Sequence, residues 1–132
     1  MRALVDTGAP FTLFDRGTGE ALGIDFSRQG AERYLHKIAG GQYLAQVETV
    51  VLRLTPFDDL WWETQVSFFL DDWGMPFAGL LGQEGFLDRW VVTFNRYDNY
   101  FIVEEPESFK GRLPPDPFEV FESRDLGWKD QP

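Results

Sequence analysis

A chain of 132 residues, 43% apolar and 17% aromatic, has the length of one domain and enough apolar content to bury a core. Its 22 acidic residues against 12 basic ones leave a net charge of −10, which repels a phosphate backbone and excludes nucleic acid as an expected partner. The absence of cysteine and the single histidine exclude a disulfide framework and a thiolate or multi-histidine metal site, so neither metal nor other cofactor is expected.

No apolar run reaches the roughly 18 residues of a membrane span, and the N-terminus lacks the basic-then-apolar layout of a secretion signal. The expectation is a cytoplasmic protein with no membrane contact. Thirteen Phe and five Trp against two Met favour β packing, because aromatic side chains suit a pleated, half-buried surface.

Ala3-Leu4-Val5 reads as a short strand that Asp6-Thr7-Gly8-Ala9-Pro10 turns and Phe11 to Phe14 resumes. Gly17-Thr18-Gly19 predicts a loop, and Glu20 to Ile24 a helical turn ending near Gly23. Tyr34 to Ile38 and Tyr43 to Leu54 are strand-like, joined by Ala39-Gly40-Gly41-Gln42, a hairpin tip whose paired glycines permit positive φ. Trp61 to Leu70 is a further strand, stopped by Asp71-Asp72-Trp73-Gly74. From Gln83 to Trp90 the spacing of Phe86, Leu87 and Trp90 predicts one short helix. Val91 to Phe94 and Tyr100 to Glu104 then predict a hairpin about Tyr97-Asp98-Asn99. The domain so outlined spans 1–105, and the prolines and acids of 106–132 predict a tail.

Leu4-Val5-Asp6-Thr7-Gly8-Ala9 resembles the active-site loop of the pepsin-type aspartic peptidases. Two further features follow in the family's order. Ile38-Ala39-Gly40-Gly41 resembles the flap hairpin, and Gly79-Leu80-Leu81-Gly82 resembles the segment of two hydrophobics and a glycine that precedes the family's short helix. Gln83 to Trp90 is similar to what single-domain bacterial retropepsin-like proteins carry there. The resemblance covers about residues 3 to 104.

Two carboxylates close enough to share a proton cannot both ionise, so one serves as base and the other as acid. Such a pair activates a water and polarises a peptide carbonyl without metal or covalent intermediate. The resemblance implies an all-β, retropepsin-like acid-protease half-barrel with one short helix. It implies Asp6 as the catalytic acid/base, with Thr7 locking two loops and Gly8 admitting a backbone N–H to the carboxylate. Ala9, Ile38, Ala39, Gly40, Gly41, Leu80 and Leu81 become the expected substrate-binding residues, with a peptide or protein as substrate. One Asp-Thr-Gly in a one-lobe chain implies a homodimer with two Asp6 at the two-fold axis.

The chain departs from the family at two places. Gln83 stands where many relatives carry Arg, which removes a charged bond. Only five residues precede Asp6, so the domain is expected to lack the family's first strand. That shortness motivates an alternative, a catalytically silent module of the same fold that holds an extended peptide by strand addition. A third reading, an assembly protein working through its acidic tail, predicts loss of function on removing 106–132. The pairs Asp58-Asp59 and Asp71-Asp72 read as solvated acids, His36 as an exposed strand residue, and Trp61-Trp62 as one core ring and one edge ring.

Overall fold

The alternating segments form strands. A computed structural model describes residues 1–38, 40–55, 57 and 59–111. Among them are β1 (Ala3–Val5), β2 (Leu13–Phe14), β3 (Arg33–Ile38), β4 (Gly41–Arg53), β5 (Trp61–Phe69), β6 (Gly79–Leu81), β7 (Val91–Asn95) and β8 (Tyr100–Glu104), with two short helices, α1 (Arg16–Ala21) and α2 (Pro106–Lys110). The protein is all-β, its larger sheet curled into a half-barrel. The chain divides into two units, Met1–Asp88 and Arg89–Pro132, a division 17 residues before the compositional boundary at 105. Residues 106–110, expected in a tail, form α2; the rest of that expected tail, from 112 on, lies outside the described residues, as do Ala39 and Asp58.

In the first unit the six strands are ordered β1-β6-β2-β5-β4-β3. β6 lies between β1 and β2, which are neighbours in sequence; it runs parallel to β1 and antiparallel to β2. Strand register then decides which residues share a face, because side chains alternate along each strand. Leu80, Leu13, Ser67 and Val47 stand opposite one another in turn across β6, β2, β5 and β4. On this face Leu13 and Leu80 pack with Ala9, Ala45, Phe69 and Trp73, and the rings of Phe69 and Trp73 lie 5.1 Å apart. The opposite face buries Phe14, Val66 and Phe68 against Ile24, Phe26, Val50, Leu52 and Leu81. Each buried Phe contributes about 2 kcal/mol relative to exposure, so both faces hold the sheet.

The helical turn expected over Glu20 to Ile24 begins earlier. Asp15 caps α1, its Oδ1 accepting from Thr18 N at 2.8 Å, and this satisfies a donor that the helix start would otherwise leave bare. The glycines at 17 and 19 do not prevent it. Gly19 is needed there, since a Cβ would lie 2.6 Å from the Phe26 ring.

Gln83 to Trp90 is a run of turns, not the helix expected. Gly85 takes φ +94°, a conformation no α-helix contains. The backbone bonds Leu87 N to Gly82 O at 3.0 Å and Asp88 N to Gln83 O at 2.9 Å skip the four-residue spacing of an α-helix. Trp62 Nε1 donates to Gly85 O at 2.8 Å and anchors this turn to β5; Trp62 is buried and Trp61 exposed.

The second unit contains the antiparallel β7–β8 hairpin in the expected place. Asn99 supplies the positive φ of its turn, 58°, and Asn95 Oδ1 accepts from Asp98 N at 3.0 Å. Arg89 holds both carboxylate oxygens of Glu105 at 3.0 and 3.2 Å. Among the described residues no helix is long and apolar enough to cross a membrane.

Candidate functional site

Asp6 is the residue at which β1 stops being a strand. Its N–H still follows the ladder to Leu81 O at 3.0 Å, and its carbonyl then accepts from Ala9 N at 3.2 Å, closing a tight turn. Within that turn Gly8 N donates to Asp6 Oδ1 at 2.9 Å. A Cβ on Gly8 would stand 3.3 Å from the same oxygen, so position 8 is tight against the carboxylate. Among the described residues this is the side chain's only hydrogen bond, and Oδ2 remains open to a water or a second carboxyl.

The loop is fixed from below by the segment after β6. Gln83 N donates to Ala9 O at 2.8 Å, Glu84 N to Pro10 O at 3.0 Å, and Thr12 N to Glu84 O at 2.9 Å. Gly82 N donates to the buried Thr12 hydroxyl at 3.1 Å. Gln83 also sends its side-chain Nε2 to Thr7 O at 2.6 Å. The position where the sequence predicts no charged bond makes a neutral one, through an amide.

A cleft of about 270 Å³ opens above the loop, lined by Asp6, Gly8, Ala9 and Pro10 from the loop, Lys37 and Ile38 from β3, and Leu80 from β6. Five residues singled out from the sequence thus meet: Asp6, Gly8, Ala9, Ile38 and Leu80. Thr7 is exposed at the loop tip. Gly40 occupies the hairpin turn with φ +80°, which its missing Cβ permits, and Gly41 opens β4 opposite Ile38; neither lines the cleft. Ala39 lies outside the described residues. Leu81 faces away, against the Phe14, Val66 and Phe68 cluster, because adjacent strand residues point to opposite faces. Lys37 and Pro10 had no sequence signal of their own; they enter as neighbours of flagged residues.

His36 is buried, not exposed as expected, at 7% accessibility. It shares a face of β3 with Ile38, and its ring meets Phe11 edge-on at 5.4 Å and Phe69 at 6.2 Å. Its Nε2 has no hydrogen-bond partner, and burial pushes its pKa below the ordinary 6.5. The unfolded chain therefore binds the proton first as pH falls. Stability from this residue is complete above about pH 6.5 and declines as pH drops through that value. Asp25, whose carboxylate is held below its ordinary 3.8 by hydrogen bonds from Ser27, acts in a lower window: its contribution is present above 3.8 and is lost beneath it. Denaturant midpoints measured between pH 7 and 5 should fall for the wild type and fall less for His36→Phe. Parallel profiles would show that His36 is not the group responsible.

Among the described residues no three His, Asp or Glu side chains cluster as a metal ion would require. Comparison with protein-family models, with curated proteins and with solved structures finds no match.

Proposed function

We propose that the chain is one subunit of a homodimeric, retropepsin-like aspartic endopeptidase, its active site completed when two Asp6 carboxyls meet across a two-fold axis. The supporting observation is the single cleft in which the Asp6 loop faces Ile38 at the end of the β3–β4 hairpin. One carboxylate would accept a proton from water while the other, protonated, donates to the scissile carbonyl oxygen. The water oxygen bonds to the carbonyl carbon, a proton passes to the leaving nitrogen, and the C–N bond breaks. Gly8 N would keep one oxygen of each carboxyl in place, and the hydroxyl of the exposed Thr7 would reach across to the second loop. The hairpin would close over substrate and exclude water, with Gly40 giving its tip the freedom to move.

Interface material exists on the second unit. Phe94 and Phe101 stand opposite each other on one face of the β7–β8 hairpin, exposed and with rings 6.2 Å apart, and exposed apolar patches mark association sites in soluble proteins.

A second reading is favoured by one observation: β3 is an edge strand, paired only with β4. Its free backbone edge suits addition of an extended peptide, so the same groove could hold a peptide without cutting it.

Subunit mixing tests the dimer. Equal amounts of wild-type and Asp6→Asn subunits, exchanged to equilibrium, leave about a quarter of the dimers with two aspartates. Peptidase activity should fall to that fraction of an all-wild-type sample, and the active species should sediment as a dimer. Activity of one half would mean that each subunit works alone, and the two-fold site would be wrong.

A further inference from the structure

A second cavity, of about 320 Å³, lies beyond the Asp6 cleft between β3 and the Gln65–Ser67 stretch of β5. We propose that this cavity binds the alkylammonium of a lysine side chain in an extended peptide occupying the same groove. Its position follows from register. Ile38, His36 and Tyr34 alternate along one face of β3, with Ile38 at the Asp6 cleft and Tyr34 at the cavity. The Phe11–His36 ring pair stands between them. Four strand residues correspond to about 13 Å, so the lysine would sit about four residues from the bond held over Asp6.

The walls have the chemistry of a cation on an apolar stem. Phe11 and Val47 offer carbon surface, and Glu32 and Glu84 bring two carboxylates to the mouth. Neither carboxylate pairs with a cation among the described residues, and no Lys or Arg lines the cavity. Tyr34 OH donates to Glu32 Oε1 at 2.6 Å. That hydrogen bond, the charge of Glu32, burial and the charge of Glu84 raise the phenol's pKa, and all three residues line the cavity.

Ser67 adds to the cavity wall a polar group with no partner among the described residues. It is 5% exposed, lines the cavity, and shares its face with Val47 directly opposite. Its hydroxyl makes no hydrogen bond among the described residues, and it is not one of the fully buried unpaired atoms, so it keeps access to the cavity and is free to accept there. An ammonium has three N–H bonds to donate, and Ser67 with the two glutamates offers three acceptors around one apolar shaft.

The proposal extends the peptide-groove reading, so it is tested by binding on the full chain carrying Asp6→Asn, where no cleavage is needed. Three probes are titrated: an acetylated apolar peptide with one lysine, the same peptide with norleucine instead, and butylamine. Amide shifts of Glu32, Ser67 and Glu84 report the site. The lysine peptide should bind about tenfold more tightly than its norleucine twin. Glu32→Gln combined with Glu84→Gln should abolish that preference, and Ser67→Ala should reduce it without lowering the melting temperature. Both glutamates are exposed, so their amides leave the fold intact. Equal affinity for the two peptides, or a preference that survives the double substitution, overturns the proposal even if the wild type cleaves peptides. Butylamine binding as tightly as the lysine peptide overturns the peptide as ligand.

Discussion

Gly82→Ala is expected to destabilise the first unit by about 3 kcal/mol or more, the range of severe overpacking. A Cβ at position 82 would stand 2.3 Å from Phe11 O and 2.7 Å from Ala9 O. These are backbone oxygens, which cannot rotate away as a flexible side chain would. The same backbone carries Gln83 N to Ala9 O and Glu84 N to Pro10 O, so relieving the clash stretches the bonds that fix the Asp6 loop. Urea midpoints of Gly82→Ala and of a control, Gly17→Ala, measure the effect. In α1 the added methyl of the control meets only Asp15 Oδ1 at 4.0 Å, and helix propensity favours alanine by up to about 1 kcal/mol. The control should hold or gain stability while Gly82→Ala loses it. A loss below about 1 kcal/mol at position 82 would show that residues 9–11 retreat cheaply and that the close approach does not fix the loop.

That same glycine shows what the sequence could and could not convey. Gly79-Leu80-Leu81-Gly82 was recognisable as a pattern, but its reason is tertiary. β6 inserts between β1 and β2, and Gly79 and Gly82 are the places where the Phe14 ring and the 9–11 backbone press against it. No local period encodes that insertion. The strands themselves were legible because alternation and turn residues are local: Ala3–Val5, Arg33–Ile38, Gly41–Arg53, Trp61–Phe69 and the β7–β8 hairpin fall within two residues of expectation.

The misreadings share one cause, tertiary contacts overriding a local signal. Phe86, Leu87 and Trp90 have helical spacing, yet Gly85 at φ +94° and the bond from Trp62 make turns of that segment. His36 looked like a polar strand residue, although its alternation with Ile38 put it on the buried face. Glycines at 17 and 19 argued for a loop, and the Asp15 cap with the close approach to Phe26 made a helix there. The charged bond expected to be absent at Gln83 is replaced by a neutral one, its amide donating to Thr7 O, a contact that no local signal encodes. Of the candidate site, Asp6, Gly8, Ala9, Ile38 and Leu80 could be named in advance since each falls in one of three short motifs, Asp6 to Ala9, Ile38 to Gly41 and Gly79 to Gly82. Lys37 and the acidic cavity could not, because only the sheet register together with the backbone bonds of Glu84 to residues 10 and 12 brings Glu32, Ser67 and Glu84 together.

Asp6→Asn should lower peptidase activity by about a thousandfold or more, toward the upper end of what a general acid/base contributes, while leaving the fold in place. Asn keeps an oxygen that can accept from Gly8 N, the bond now made at 2.9 Å, so the turn retains its tie. Melting temperature should stay within about 1 kcal/mol equivalent of the wild type or rise, because two facing carboxyls repel unless they share a proton. A side chain that cannot become a carboxylate cannot take the proton from water. The wild type should show a bell-shaped profile on the acid side, where the pair carries one proton; the variant should show no such profile at any pH. Cleavage is followed on a pool of peptides with apolar residues flanking the cut, since the cleft is walled by Ala9, Ile38 and Leu80. The acid limb must be separated from unfolding, because His36 and Asp25 both withdraw stability as pH falls. His36→Phe serves here too: an acid limb that moves with this substitution reports unfolding, and one that stays reports the carboxyl pair. Undiminished cleavage by Asp6→Asn would remove Asp6 from the chemistry and with it the dyad. If neither form cleaves the pool and both bind it along β3, the silent peptide-binding module replaces the peptidase as the reading of this groove.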